Sequence, residues 1–453
     1  DPTANPSLGP DEIIVHNCQF SNMWTDNNLG DWTLSATDAI RVFSQQTLGS
    51  TDGEINYGLI LSDIYMRDIQ KTGIKIAGAR GVKISNVEID GPRRGGDTIQ
   101  MLAAIRLQAS DNCIITGLKM RARSQFIFNI SCSNVLIDGV QFQPQLETGQ
   151  LDGITTAAFN FQSVDGDNTK NIVISNVQAE LVRQVARFEL SGNTETGYIF
   201  HDIVFNNMQI QHLEGATSTL SIEADRVDGL TFNNCQFLDK QDNLLEIFQF
   251  RDTRRVNING CYGEFRRSIL RFIKSVLVTP LDINDVTIQN SKFKRPDTQV
   301  ADTIYSSLPL LNSNGTAVSD IKVSNVEVSV PSYNTTSNQT IVECNLEKSS
   351  ITDLTMFIRD VGAANPGTAL FGTFVDCRVD GVMLKSEASK AGTVYAVQDD
   401  LSSSLNAIYN IRSDERGVRL LGDKTIVSNV GAWTQAINDT GAGNVLGTSI
   451  IYT

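Results

Sequence analysis

Two glutamates carry the strongest chemical suggestion in this chain. Glu189 lies in ARFEL (186–190) and Glu223 in LSIEAD (220–225), 34 residues later. Both segments alternate apolar and polar residues, the period of a strand with one buried face. Ala186, Phe188 and Leu190 form one side of the first, which leaves Arg187 and Glu189 on the other. In the second, Leu220, Ile222 and Ala224 face inward, and Ser221, Glu223 and Asp225 face outward. Paired outward carboxylates suit the hydrolysis of a glycosidic bond. One protonates the leaving oxygen. The other activates water at a separation of ~6.5–9.5 Å, or attacks the sugar directly at ~5–5.5 Å. Asp225 is the helper or the substitute. The plainer alternative is a set of surface ion pairs with Arg183, Arg187 and Arg226, which would contribute little.

Six arginines follow within 21 residues: Arg251, Arg254, Arg255, Arg266, Arg267 and Arg271. Most arginines in such a run face solvent, but a guanidinium also pairs bidentately with a carboxylate such as that of an acidic sugar. Arg187, Tyr198, Gln249, Arg251 and Arg254 are the expected substrate-binding residues, with Phe248 and Tyr262 as further aromatic surface. A second chemistry remains open, β-elimination on a uronic-acid polymer. There an arginine neutralises the uronate, and Tyr198, His201 or Lys75 takes the proton. No metal and no cofactor is expected. His16, His201 and His212 fall in no HxH or HExxH spacing, and the Asp-rich turns VDGDN (164–168) and LDG (151–153) are too short for an EF-hand loop.

The carboxylates meet only if distant segments lie side by side, and a repeat supplies the means. A six-residue pattern recurs: an apolar residue, any residue, then Asn, Asp or Gly, then usually an apolar residue, any residue and another apolar one. It reads VHNCQF (15–20), LSDIYM (61–66), ISNVEI (84–89), ITGLKM (115–120), IDGVQF (137–142), ISNVQA (174–179) and FNNMQI (205–210). It continues as FNNCQF (232–237), INGCYG (258–263), IQNSKF (288–293), VSNVEV (323–328) and ITDLTM (351–356), with VDCRVD (375–380) a poorer match. The third position holds only the residue types that tolerate positive φ. Each repeat is therefore expected to bend there between two short strands. Periods of this size mean a solenoid. The β-branched and aromatic apolar residues, without a dense Leu consensus, argue against a leucine-rich repeat. The fold expected is all-β, a right-handed single-stranded parallel β-helix of about a dozen coils.

Residues 1–60 form an irregular entry with the first coil, 61–384 the β-helix, and 385–453 a small C-terminal β-region where Ser, Ala and Gly rise and the pattern weakens. That region is expected to cap the solenoid or to trimerise it, because an uncovered solenoid end is an aggregation edge. Insertions are expected at 21–60, 143–157, 191–203 and 294–317. Of the seven cysteines, Cys18, Cys235 and Cys261 directly follow a turn residue, where other repeats carry core residues. Reduced packing thiols are expected, from assembly in a reducing compartment.

The formal net charge is −14, which repels phosphate and argues against nucleic-acid binding. No apolar run of 18 residues occurs, so no membrane insertion is expected. The first residue is Asp, without the charged and apolar regions of a signal peptide, which points to a fragment trimmed at its N-terminus.

Stacked apolar-x-Asn turns over most of the chain, with a separate β-rich C-terminus, resemble the bacteriophage tailspikes, which share the pectate-lyase-like solenoid. The resemblance implies a homotrimer on a virion tail, made in the host cytoplasm and acting outside it on a bacterial surface polysaccharide, capsule or O-antigen. It also implies an active site built from a Glu with one or two acidic residues about one coil later, a spacing that Glu189, Glu223 and Asp225 match. Polygalacturonases fit less well, since the chain has no GHG, and no clear calcium-binding acidic set of a pectate lyase is present. A non-catalytic glycan-binding fibre is the third reading.

Overall fold

The computed structural model describes residues 12–23, 38–43, 58–69, 72–90, 103–121, 125–143, 157–163, 169–182, 184–190, 197–212, 219–239, 244–265, 268–273, 281–295, 311–312, 318–330, 340–358, 368–386, 395–432 and 435–451. Among these there is no helix. Strand follows strand, and every recorded ladder is parallel, as in a parallel β-helix. The chain divides into two compact units, one of Asp1–Ala216 with Ser221–Leu230 and one of Thr217–Leu220 with Thr231–Thr453.

The first unit has two strand tracks. One ascends from Glu12–His16 and Gln19–Met23 through Gly58–Ile69, Val82–Asp90, Asp111–Arg121, Ser133–Phe142 and Thr169–Val182 to Phe200–His212. The other runs through Ile40–Phe43, Thr72–Ala77, Ala103–Gln108, Gln125–Ile130, Ala157–Ser163 and Gln184–Leu190 to the Thr219–Asp225 strand. The second unit repeats the plan. Its main track leads from Arg254–Asn259 through Asn284–Lys294, Val318–Val330 and Ser350–Ile358 to Ala407–Ser413 and Ile426–Ala432.

All twelve expected turn residues, from Asn17 and Asp63 to Asn325 and Asp353, have positive φ. Asn17, Asn234 and Gly260 do fall between two strands, but in the other coils the strand continues through the turn residue. Val82–Asp90 runs straight through Asn86. Ile84 and Val87, three apart, are both buried, so the left-handed residue resets the strand's phase and keeps both neighbours inside. Ladder pairing resumes beyond it, with Asp138 opposite Ser175 and then Val140 opposite Val177. A second left-handed residue lies five positions earlier in coil after coil, as Asn171 before Asn176 and Asp285 before Asn290. The turn asparagines also bond to one another between coils: Asn207 donates to Asn176 at 3.3 Å and Asn325 to Asn290 at 2.9 Å.

Two expectations change. In the coil read as VDCRVD, the second left-handed residue is Gly381, stacked on Asp353. The motif there is VDGVML (379–384), four residues further on. The parallel ladder also crosses residue 385 without a break, since Met383–Ser386 pairs onward with Ala407–Ser413. Residues 395–432 and 435–451 thus add coils of the same kind, with left-handed Asn410 and Asn429, and do not fold as a separate β-region. The 1–60 segment contributes parallel strands where it is described. The insertions at 143–157 and 294–317 lie largely outside the described residues; of 191–203, residues 197–203 are described and lead into the Phe200–His212 strand.

Cys113, Cys132, Cys235, Cys261 and Cys377 are buried free thiols, and Cys18 is half-buried. Burial pushes the Cys113 and Cys377 thiols above their ordinary range, which keeps them protonated and inert.

Candidate functional site

The Gln184–Leu190 strand is fixed by its inner face. Ala186 and Phe188 are buried there. Phe188 stacks on Phe161 with ring centroids 4.7 Å apart and 15° between planes, and meets Phe200 edge-on at 5.2 Å. Alternation then forces Arg187 and Glu189, on either side of Phe188, outward. In the Thr219–Asp225 strand Ile222 and Ala224 are buried, and Glu223 and Asp225 are half-buried. Ser221, expected outward, is instead fully buried.

The register sets Ala186 opposite Ile222 and Arg187 opposite Glu223. Glu223 is therefore abreast of Arg187, and Glu189 sits diagonally from it, one outward position along. Arg187 lies between the two. Its Nη1 is 2.6 Å from Glu189 Oε1 and its Nε 3.5 Å from Glu223 Oε2. Two carboxylates touching one rigid guanidinium fork have those oxygens within about 8 Å of each other, inside the range that glycosidic chemistry uses.

Two amides that the sequence did not single out complete the cluster. Asn160 Nδ2 donates to Glu189 Oε2 at 3.5 Å, and Gln184 Nε2 donates to Glu223 Oε2 at 3.3 Å. Asn160 lies opposite Arg187, and Gln162 opposite Glu189. Their signal was available in AAFNFQS (157–163), where Asn160 and Gln162 alternate with Phe159 and Phe161, but it carries weight only once the coil is known to lie beside ARFEL. Asn160 is 7% exposed, and its buried Oδ1 has no hydrogen-bond partner among the described residues. Such an acceptor is costly to leave unpaired, and in a functional site it marks a place for a ligand donor. Glu223 Oε1 has no partner among the described residues, so it is the carboxylate oxygen best placed to exchange a proton with a bound molecule.

Other expected residues lie elsewhere. Tyr198 and His201 stand at the start of the Phe200–His212 strand in the other track. His201 Nε2 is 3.1 Å from the Tyr198 carbonyl oxygen, and its Nδ1 is 4.0 Å from Asp228. Lys75 shares a row with Arg187, four ladder steps away, or about 19 Å at the strand spacing, too far to serve as base beside the carboxylates. Gln249, Arg251 and Arg254 belong to the second unit. There Gln249 is buried opposite Arg271, Arg251 lies opposite Ile273, and Arg254 opens a strand of the other track. Arg271 Nη1 is 3.3 Å from the buried carboxylate of Glu246, so this arginine serves an internal pair. Arg266 and Arg267 lie outside the described residues. Among the described residues no group of three or more His, Cys, Asp or Glu could hold a metal ion, and no helix is long and apolar enough to cross a membrane.

No family model matches the chain, and no curated protein matches it. Among solved structures it is similar to PfbA, a surface adhesin of Streptococcus pneumoniae, at 12% identity and TM-score 0.37 over 90% of this chain and 87% of that one. It is also similar to a mutant DFA-IIIase from Arthrobacter chlorophenolicus in complex with DFA-III, at 9% identity and TM-score 0.34 over 88% and 95%. A third is the catalytic domain of a GH87 alpha-1,3-glucanase in complex with tetrasaccharides, at 10% identity and TM-score 0.27 over 92% and 68%. Likeness this distant has no bearing on this chain's chemistry, which has to be argued from its own residues.

Proposed function

We propose that this protein is an endo-acting polysaccharide depolymerase that hydrolyses glycosidic bonds with Glu189 and Glu223. The observation that carries the reading is the cluster on one outward face: two carboxylates sharing Arg187, with Asn160 and Gln184 holding one oxygen of each. Glu189, gripped by Arg187 and Asn160, acts as the carboxylate. Glu223, with Oε1 open, donates the proton to the leaving oxygen. Arg187 turns from the carboxylates to substrate hydroxyls or carboxylates as the sugar enters, and Asp225, two residues beyond Glu223 on the same side, orients water.

The proposed setting is a phage tailspike, a homotrimer on the virion tail that degrades capsule or O-antigen. Exposed apolar residues in the second unit, Leu401, Leu405 and the paired Ile426 and Val445, support a partner chain there. A monomeric mass by light scattering would reject the trimer.

The catalytic reading is tested by Glu189→Gln and Glu223→Gln on a panel of bacterial capsule and O-antigen polysaccharides. Each variant should lose activity by at least about a hundredfold, measured as new reducing ends, while its melting temperature stays near that of the parent. Full activity in both variants removes the assignment. Product that absorbs in the ultraviolet marks elimination instead, and unchanged polymer with retained binding marks a fibre that only adheres.

A further inference from the structure

The outward row that ends at the carboxylates continues away from them as a line of cations. Arg41 lies opposite Lys75, and Lys75 opposite Arg106. Arg106 leads through the positions of Phe128 and Asn160 to Arg187 and Glu223. Seven consecutive strands of one track thus place a single row of residues in line along the first unit. We infer that this row is a binding track for an acidic glycan, with Arg106, Lys75 and Arg41 receiving the carboxylates of sugars on one side of the cleaved bond. The inference rests on the hydrolytic reading above for which bond is cut, and adds the substrate class.

Three observations support it. First, three cations follow one another on a single row, in a chain of net charge −14. Asp38 lies beside two of them. Its side chain is almost fully buried and 3.9 Å from Arg41 Nε, and its charge also acts on half-buried Arg106. Guanidinium forks bind carboxylates bidentately. Second, the rungs repeat at about 4.8 Å, comparable to the length of one sugar ring along its chain. A polymer lying on the row offers successive sugars to successive rungs. Arg106 stands three rungs from Arg187, roughly 14 Å away, and Lys75 and Arg41 one and two rungs beyond. Third, Asn160 occupies the rung next to Arg187, and its buried Oδ1 has no partner among the described residues, which suits it to a sugar hydroxyl between the cationic rungs and the carboxylates.

The test uses the full chain and a matched pair of probes, carboxymethyl-dextran and neutral dextran of equal length, in affinity electrophoresis over a range of salt. The parent should be retarded by the charged polymer alone, with retardation falling as salt rises. The double variant Arg41→Gln with Lys75→Gln should lose that affinity by about tenfold or more. Arg106 is left in place so that buried Asp38 keeps one cation beside it, and the melting temperature of the double variant and of Lys75→Gln alone is measured alongside. Equal retardation by both dextrans, none by either, or no change in the double variant would overturn the track. The Glu189→Gln and Glu223→Gln variants should bind the charged probe at least as tightly as the parent, since each frees Arg187 of one carboxylate. If they also stay active on a cleaved polysaccharide, the catalytic assignment falls and the track stands; if they are inactive while the double variant binds normally, the track falls alone.

Discussion

Asn290 offers the sharpest check on why the repeat carries asparagine. Its backbone is left-handed at φ 51°. Its side chain donates to Asn259 Oδ1 at 3.0 Å and accepts from Asn325 Nδ2 at 2.9 Å. Replacing it by glycine keeps the backbone comfortable and removes only the two exposed hydrogen bonds, at about 0.5 kcal/mol each toward the lower end of the usual range, hence about 1 kcal/mol. Replacing it by alanine removes the same bonds and adds the left-handed penalty of a Cβ, about 1–2 kcal/mol. Asn290→Ala should therefore be less stable than Asn290→Gly by roughly 1 kcal/mol, the reverse of the order in a regular strand interior. Solenoids unfold by neighbouring repeats and are poorly described by one global transition. The assay is accordingly local: hydrogen exchange of the Asn284–Lys294 and Val318–Val330 strands, supported by urea midpoints. Alanine equal to or better than glycine refutes the strain argument. Two variants indistinguishable from the parent refute the hydrogen-bond argument as well.

Two more outcomes follow from buried groups. Asp399 is fully buried, and burial raises its carboxyl above the ordinary 3.8, against the pull of the Leu421 and Gly422 backbone N–H groups that donate to Oδ1. A raised folded value means that ionisation costs stability. The cost is absent below the unfolded value and grows as pH rises through the folded one. Urea unfolding of Asp399→Asn across pH 3 to 7 should shift in favour of the variant as pH rises, and a difference independent of pH would contradict this. Phe188→Ala removes the ring stacked on Phe161 and should cost about 3–5 kcal/mol. It should lower activity even below its melting temperature, because Arg187 and Glu189 flank that ring; a fully active, stable variant would detach the site from the core.

The fold was legible because one requirement, a residue tolerating positive φ between inward-facing apolar residues, leaves a chemical mark at the same place in every coil. The corner five residues earlier was not legible. Several coils fill it with Arg255, Lys348 or Lys424, whose types do not advertise a left-handed backbone. VDGVML was hidden because the earlier corner there, Asp376, itself looks like the turn residue, while Leu405 and Lys424 at that corner made residues past 385 look foreign when their ladder is unchanged. The carboxylates were legible as outward residues on neighbouring strands, but their register was not. The long insertion between ARFEL and LSIEAD leaves the pairing undetermined, until the packing of Ile222 beside Ala186 sets Glu223 abreast of Arg187.

That register decides what kind of site this is. Directly opposite, Glu189 and Glu223 would repel across one rung. Set diagonally, with Arg187 abreast of one and beside the other on its own strand, they share a counter-charge that holds the face together when no ligand is bound. The same guanidinium is the group a glycan must displace, so substrate entry and release of the two carboxylates become one event. Removing Arg187 should therefore do two opposite things: free the carboxylates and leave them repelling each other. The balance between those effects separates a catalytic cluster from an ordinary ion pair. In an ordinary pair on a surface this exposed, Arg187→Ala would shift stability by less than about 1 kcal/mol and change nothing else. In a catalytic cluster it should also raise KM and lower kcat/KM by about tenfold or more, because the group that receives the entering sugar is gone. A variant with unchanged KM and kcat/KM would reduce the triad to a surface feature.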